Sequence, residues 1–473
     1  MTTAAIAPQS AGFAASLPAG GPDPARFDWA EAWYPVAYLD DLDTTKPTRF
    51  TLLERGIVIW WDVKGQSWRV FEDRCPHRLA PLSEGRINEA GELECPYHGW
   101  AFAGDGSCTH IPQEQTIGQG HQSPRACVGS MPTAIAQGLL FVYPGQAKNA
   151  PQVEVPIVSP VDEDPDGWVV LNTFRDLPYD ALTLLENVLD ASHIPYTHHK
   201  TVGKRENAAP MEMEVVESGK QGFRGLWPEG PRKGKLGTQH TTFVAPALMY
   251  HDLTSKQFGR TMTVVYATPI RKGECRLFAR FPFKFSSKLP ATVIGLTPRW
   301  FSHIGNNAVL EDDQIFLHLQ ERELEQVNRS YAQACYLPTQ ADRYVLAFRN
   351  WVSDFEADPF PGQRLEPEWT KEALLDRYHS HTQHCHSCRT ALTRIQTLRW
   401  GLLGVSAVGW SLLPVAVVMG SITGLAAMLL ALLPLGTAAA WAGLGILERR
   451  FYEGRPVPPR NLPEKKASSR KPG

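Results

Sequence analysis

Cys75-Pro-His77 is followed, after seventeen residues, by Cys95-Pro-Tyr-His98. Each short segment offers one thiolate and one imidazole. A zinc site with two Cys and two His usually pairs like with like, Cys beside Cys and His beside His. Loops that mix the two suit a [2Fe–2S] centre in which one iron takes both sulfurs and the other both imidazoles. Neutral imidazoles lower the negative charge on such a cluster and raise its potential, so it can accept an electron from a low-potential donor. Tyr97 and Trp100 flank the second loop and could shield the cluster, although aromatic packing alone would also explain them.

A second constellation follows at Asn187, Asp190, His193 and His198. Asp190 and His193 are three apart and share a face if helical. Pro195 disfavours continuation of that helix, so the chain can bend and bring His198 to the same point. Two imidazoles and one carboxylate form the facial triad of non-haem Fe(II) sites, which leaves positions open for O₂. Asp190 is too near His193 in sequence to complete it comfortably. The carboxylate is therefore sought in 309–320, where Asp312 and Asp313 are the candidates; a charge at a helix N-terminus would also explain an Asp there. Further on, Cys385-x-x-Cys388 could be a redox pair if one thiol has a low pKa, or two thiols with no redox role. His384 and His386 beside it make adventitious metal binding conceivable. Cys108, Cys127, Cys275 and Cys335 read as packing residues.

The elements that must position these residues are short strands first. Gly56–Val63 is β-branched and aromatic, 64–67 can turn, and Trp68–Phe71 can return as a hairpin. Residues 28–145 therefore read as an all-β domain and 146–168 as a Pro-rich linker. Residues 168–390 read as α+β, with helix signals at 179–193 and 311–335 and strand signals at 211–226, 240–252, 260–270 and 275–284. From 400 to 447 there is no Asp, Glu, Lys or Arg. That length suits two spans of about 20 residues each, turning near Gly420-Ser421, and arginines on both flanks place both ends on the cytoplasmic or stromal side. A buried pair of core helices is the alternative.

Composition sets outer limits. The 473 residues are 43% hydrophobic and 20% charged, with a formal net charge of −2, which argues against nucleic-acid binding. From Glu448 onward, residues 448–473 hold eight Lys/Arg against three Asp/Glu, a basic tail suited to a membrane surface. Eight cysteines are too few for a disulfide scaffold in a chain this long. Residues 1–25 carry no Lys or Arg and no continuous apolar core. The expectation is neither a signal nor a transit peptide, and 1–27 reads as a disordered arm.

Taken together, Cys75–Gly85 with Arg78 after the ligand His, and the skeleton 187–198, resemble the Rieske oxygenases over roughly 28–380. The respiratory Rieske pattern is absent, since Ala80 and Tyr97 stand where its extra disulfide would be. More narrowly, Tyr336–Trp351, Tyr378–Cys388 and the two spans after Cys-x-x-Cys resemble the pheophorbide a oxygenase group. That group includes a translocon-associated Rieske protein, a protochlorophyllide-oxidising relative and, more distantly, chlorophyllide a oxygenase. The resemblance implies a helix-grip catalytic domain, ferredoxin as electron donor, O₂, and a chlorophyll-derived tetrapyrrole as substrate. Its ligand Asp stands eight residues before a Gln, which selects Asp312 before Gln320, with Asp313 as second choice. It implies a homotrimer in which Asp190 links a cluster His of a neighbouring subunit to His193. It also raises thioredoxin control through Cys385 and Cys388. The missing transit peptide suggests a bacterial version, with the hairpin in a thylakoid or plasma membrane.

Overall fold

Strand pairing near the N-terminus follows the apolar pattern. Arg55–Asp62 buries Ile57, Val58, Ile59 and Trp60 in succession, so both faces of this strand are covered. It pairs antiparallel with Ser67–Glu72, Trp61 opposite Trp68. The turn between them is held by Asp62, whose Oδ1 accepts from the backbone N–H of Lys64 (3.1 Å) and Gly65 (2.9 Å). With Thr48–Leu52 and Ser130–Met131 these strands form one four-stranded sheet; Arg86–Ile87, Leu93–Glu94, Ala101–Phe102 and Cys108–His110 form another. Trp60, Phe71, Leu93 and Phe102 share one core with Cys75 and Cys95. This computed structural model describes residues 26–115, 119–255 and 259–463. Most of the expected N-terminal arm, 1–25, lies outside them. Its last residues differ from the expectation: Phe27 N donates to Phe355 O at 2.7 Å and its ring packs on Trp351 at 5.2 Å.

The central sheet has seven antiparallel strands. In spatial order they are Val169–Leu177, Glu274–Lys284, Gly259–Arg271, Leu248–Ser255, Gln239–Val244, Gly222–Trp227 and Glu214–Gly219. Two expected strands, 211–226 and 240–252, are in fact hairpins, because Gly222 (φ +121°) lets the chain reverse in the first. Ala181–Leu189 is a short helix whose apolar residues are mostly buried. It ends at Asp190, which has left helical geometry (ψ 92°). Arg299–Val327 is one 29-residue helix, starting earlier than the expected 311.

The chain divides into two compact units. The first holds the chain up to Leu296 and Asp313–Glu368, and so contains the three small β sheets and the seven-stranded sheet. The second holds Thr297–Asp312 and everything from Trp369 onward. The expected boundary at 390 therefore falls inside an element: the first apolar helix runs His386–Val418, and its return partner Gly424–Arg449. An 18-residue stretch of each has a mean hydropathy of 1.9, and only 6% of that stretch is buried. That exposure is the reverse of a soluble core helix and suits contact with lipid.

Candidate metal and active site

The two Cys-His loops are built alike. Cys75 N donates to Ala80 O (2.8 Å) and Cys75 O accepts from Leu79 N (2.9 Å); Cys95 N donates to Trp100 O (2.8 Å) and Cys95 O accepts from Gly99 N (3.1 Å). Each loop closes through a left-handed residue, Leu79 at φ +59° and Gly99 at φ +73°. A non-glycine residue there costs about 1–2 kcal/mol, so the tight reversal is imposed on Leu79 by the loop it closes. Both sulfurs are buried, and the rings of His77 and His98 stand 4.6 Å apart. Trp100 stacks on His77 at 4.7 Å with planes 6° apart, whereas Tyr97 is largely exposed.

This arrangement fits an iron–sulfur cluster. His77 Nδ1 is buried and has no hydrogen-bond partner among the described residues, a costly state for a ring nitrogen unless it ligates something. Burial pushes the Cys75 thiol up to about 12, and the neighbouring Cys95 adds to the rise. A thiolate at such a position needs cationic iron beside it.

The second constellation gathers on three elements. His193 and His198 bracket the single-turn helix Ile194–Thr197, with Pro195 in its first turn. Their Nε2 atoms are 3.2 Å apart. The carboxylate that joins them is Asp313: its Oδ2 lies 3.2 Å from His198 Nε2 and its Oδ1 3.9 Å from His193 Nε2. The preference for Asp312 is thus corrected. Asp312 belongs to the second unit, where Arg460 Nη1 donates to its carbonyl at 2.5 Å and lies 4.0 Å from its Oδ1. Adjacent helix positions diverge by about 100°, so only one of the two can face the imidazoles. The eight-residue spacing that favoured Asp312 leads, from Asp313, to Glu321 rather than to Gln320.

Neighbouring groups hold this trio in place. Asn187 Nδ2 donates to Asp313 Oδ1 at 3.5 Å. His193 Nδ1 contacts the carbonyl of Asp190, which leaves Nε2 to face the trio. The Asp190 carboxylate accepts from Ser192 N (2.7 Å) and Ser192 Oγ (2.5 Å), both on Oδ1. His251 was not anticipated; its Nε2 contacts Val188 O at 2.9 Å while Nδ1 meets Thr241 and Gln239. Burial lowers its pKa to about 4, so it stays neutral and pins the end of the helix that leads to Asp190. A lone His inside a strand gave no spacing signal for this role. His199 lies outside the trio and accepts from Arg205 N at 3.3 Å.

Two imidazoles and a carboxylate with converging lone pairs suit a redox-active divalent iron with open positions. Comparison with known proteins accords with that chemistry. Residues 32–130 match the family model "Rieske [2Fe-2S] domain" and 243–330 match "Pheophorbide a oxygenase". The chain is 39% identical over 421 residues to the chloroplastic pheophorbide a oxygenase of Arabidopsis thaliana, covering 80% of this chain and 76% of that one. It is 35% identical to the chloroplastic flavonoid 8-hydroxylase 2 of Ocimum basilicum, covering 80% and 77%. Its fold matches dicamba monooxygenase bound to dicamba with a TM-score of 0.57 at 23% identity, over 70% of this chain and 98% of that one. The chain belongs to the pheophorbide a oxygenase group of the Rieske oxygenases, which are built around a [2Fe–2S] cluster and a mononuclear iron.

Proposed function

We propose that this chain is a membrane-anchored monooxygenase whose substrate is a chlorophyll-derived ring of the pheophorbide a type. In this reading Cys75, His77, Cys95 and His98 hold the cluster, and His193, His198 and Asp313 hold the mononuclear iron. When bound, the cluster supplies electrons singly and the iron activates O₂. The chain's own groups do the positioning. The Asp190 carbonyl fixes the His193 ring, Asn187 steadies the Asp313 carboxylate, and His251 secures the helix end that carries Asp190. The observation that carries the proposal is the approach of Asp313 to both imidazoles. The identity to pheophorbide a oxygenases over most of the chain points it toward a tetrapyrrole.

Ferredoxin is the donor this family implies, and the two apolar helices would fix the enzyme to the membrane in which such a ring dissolves. A trimer also belongs to the proposal. Oδ2 of Asp190 accepts no hydrogen bond among the described residues, so it is available to a cluster imidazole of a neighbouring copy. A second reading has one specific support: the flavonoid hydroxylase is nearly as similar, and its name records a different flat aromatic substrate.

The test is single turnover by detergent-solubilised full-length protein with reduced ferredoxin and ¹⁸O₂. Pheophorbide a, chlorophyllide a and a flavone are supplied in separate reactions. One labelled oxygen in the pheophorbide product is expected. Label in the flavone alone would replace the tetrapyrrole with the second reading, and label in chlorophyllide alone would move the substrate within the chlorin class. O₂ consumption with every substrate recovered unchanged would overturn the oxygenase reading.

A further inference from the structure

Four buried side chains of the second unit converge on one point. They are His303 on the long helix, His381 on the π-turn Tyr378–Thr382, Cys385 at the N-cap of the first apolar helix and Cys388 in its first turn. His381 Nε2 lies 3.1 Å from His303 Nδ1. Cys385 Sγ and Cys388 Sγ are each 3.5 Å from that same Nδ1, and Cys388 Sγ is 3.3 Å from His381 Nε2. His384 and His386, which flank Cys385 in sequence, are not among the four.

We propose that His303, His381, Cys385 and Cys388 form a closed, four-coordinate zinc site. With Zn–N near 2.0–2.1 Å and Zn–S near 2.3 Å, a tetrahedron sets nitrogens about 3.4 Å apart and nitrogen and sulfur about 3.6 Å apart. The observed separations fall within a few tenths of an ångström of those values. Exposures of 0% for His303, His381 and Cys385 and 2% for Cys388 leave no room for a water or substrate ligand, as a structural rather than a catalytic zinc requires. Mixed nitrogen and sulfur donors with no carboxylate select zinc over calcium, magnesium or manganese. On binding, both thiols become thiolates and two protons leave to solvent; the helix N-terminus that Cys385 caps favours the resulting charge.

The scaffold is set by bonds independent of any metal. Cys385 N donates to His381 O (3.0 Å), and Gln383 N to Tyr378 O (2.9 Å), the latter closing the π-turn that turns His381 inward. Trp300 N donates to Ser387 Oγ (3.2 Å), tying the start of the long helix to the Cys-x-x-Cys turn. Thr382 Oγ1 donates to Phe451 O (2.7 Å), bringing in the chain just past the second apolar helix. A metal here clasps the segments that enter and leave the apolar hairpin. It also masks both thiols, in contrast to a free dithiol pair.

The test is metal analysis of the detergent-solubilised full chain with its iron sites filled. About one zinc per chain is expected beyond the iron. The double variant Cys385→Ser/Cys388→Ser should lose it and keep full iron and the cluster's visible spectrum. If that variant fails to accumulate, zinc-edge X-ray absorption on the unaltered protein decides, with two sulfurs near 2.3 Å and two nitrogens near 2.0 Å expected. Zinc-free protein, zinc unaffected by the double substitution, zinc surrounded only by oxygen and nitrogen, or a Cys385–Cys388 disulfide in freshly purified protein would each overturn the proposal.

Discussion

Two places in this molecule bring a pair of imidazoles to nearly the same separation, 3.2 Å at His193/His198 and 3.1 Å at His303/His381. What completes each pair is different. The first gains one carboxylate, Asp313, and His193 keeps 15% of its side chain exposed. The second gains two thiols and is sealed. A carboxylate and two imidazoles leave a metal with positions to spare, whereas two thiolates and two imidazoles saturate it. The imidazole pair does not itself determine chemistry; the third and fourth donors, and access for water, do.

The sharpest way to break this contrast is at adjacent residues. Asp313→Ala should abolish oxygenation and remove the mononuclear iron while the cluster's spectrum survives. Asp312→Ala should keep both iron and turnover. Iron analysis beside single-turnover assay of the two variants checks this, and the opposite outcome would return the ligand role to Asp312.

That ambiguity shows where sequence reading ran out. Cys75, His77, Cys95 and His98 could be singled out because two short loops carry all four donors; of the seven-stranded sheet four segments were legible, two of them in fact hairpins, and Val169–Leu177 was missed. Asp312 and Asp313 were not separable, since helix phase over a 29-residue element cannot be fixed to one residue by pattern alone. His303 was invisible because 78 residues separate it from His381, and only tertiary packing brings them together. The Cys-x-x-Cys pair was legible as chemistry, but its partners were not.

The next test concerns what surrounds the sealed site. Arg377 and Glu311 form a buried bidentate pair at 2.6 and 2.7 Å in the same unit. Glu311→Gln leaves the guanidinium without its counter-charge and should cost about 3–5 kcal/mol. This substitution should lower the melting temperature of the second unit whether or not zinc is bound, and chelation of wild-type protein should lower it through loss of the proposed zinc. Calorimetry with and without chelator reads both. At the open site, Asn187→Ala should reduce turnover by roughly 10-fold by freeing the Asp313 carboxylate, with zinc content unchanged. A loss of zinc there would show that the two sites are not separate.

The smallest effect is a pH slope. Glu321 is buried beside Asp180, and that burial, with the Asp180 charge, raises its pKa to about 9. The folded chain therefore holds a proton that the unfolded chain releases above the usual carboxylate range near 4.5. Stability from this group is complete below that value, falls as pH rises toward 9, and is flat beyond, with a slope of at most about 1.4 kcal/mol per pH unit. Glu321→Gln should flatten the slope in melts from pH 5 to 9. An unchanged slope would assign the proton to another group.

The first apolar helix carries a further geometric consequence. Its 33 residues span about 50 Å, while the hydrocarbon layer is about 30 Å thick. In the membrane-anchored reading proposed above, roughly 20 Å of continuous helix would stand in water as a mast, and Arg389, Arg394 and Arg399 all lie on that length. Arg399, at its foot, is braced to the returning helix by Glu448 and by the ring of Trp441 at 4.8 Å, and that helix ends at Arg449. The outer end is the Cys-x-x-Cys turn, whose height above the lipid in that reading would be set by helix length and not by a slack linker.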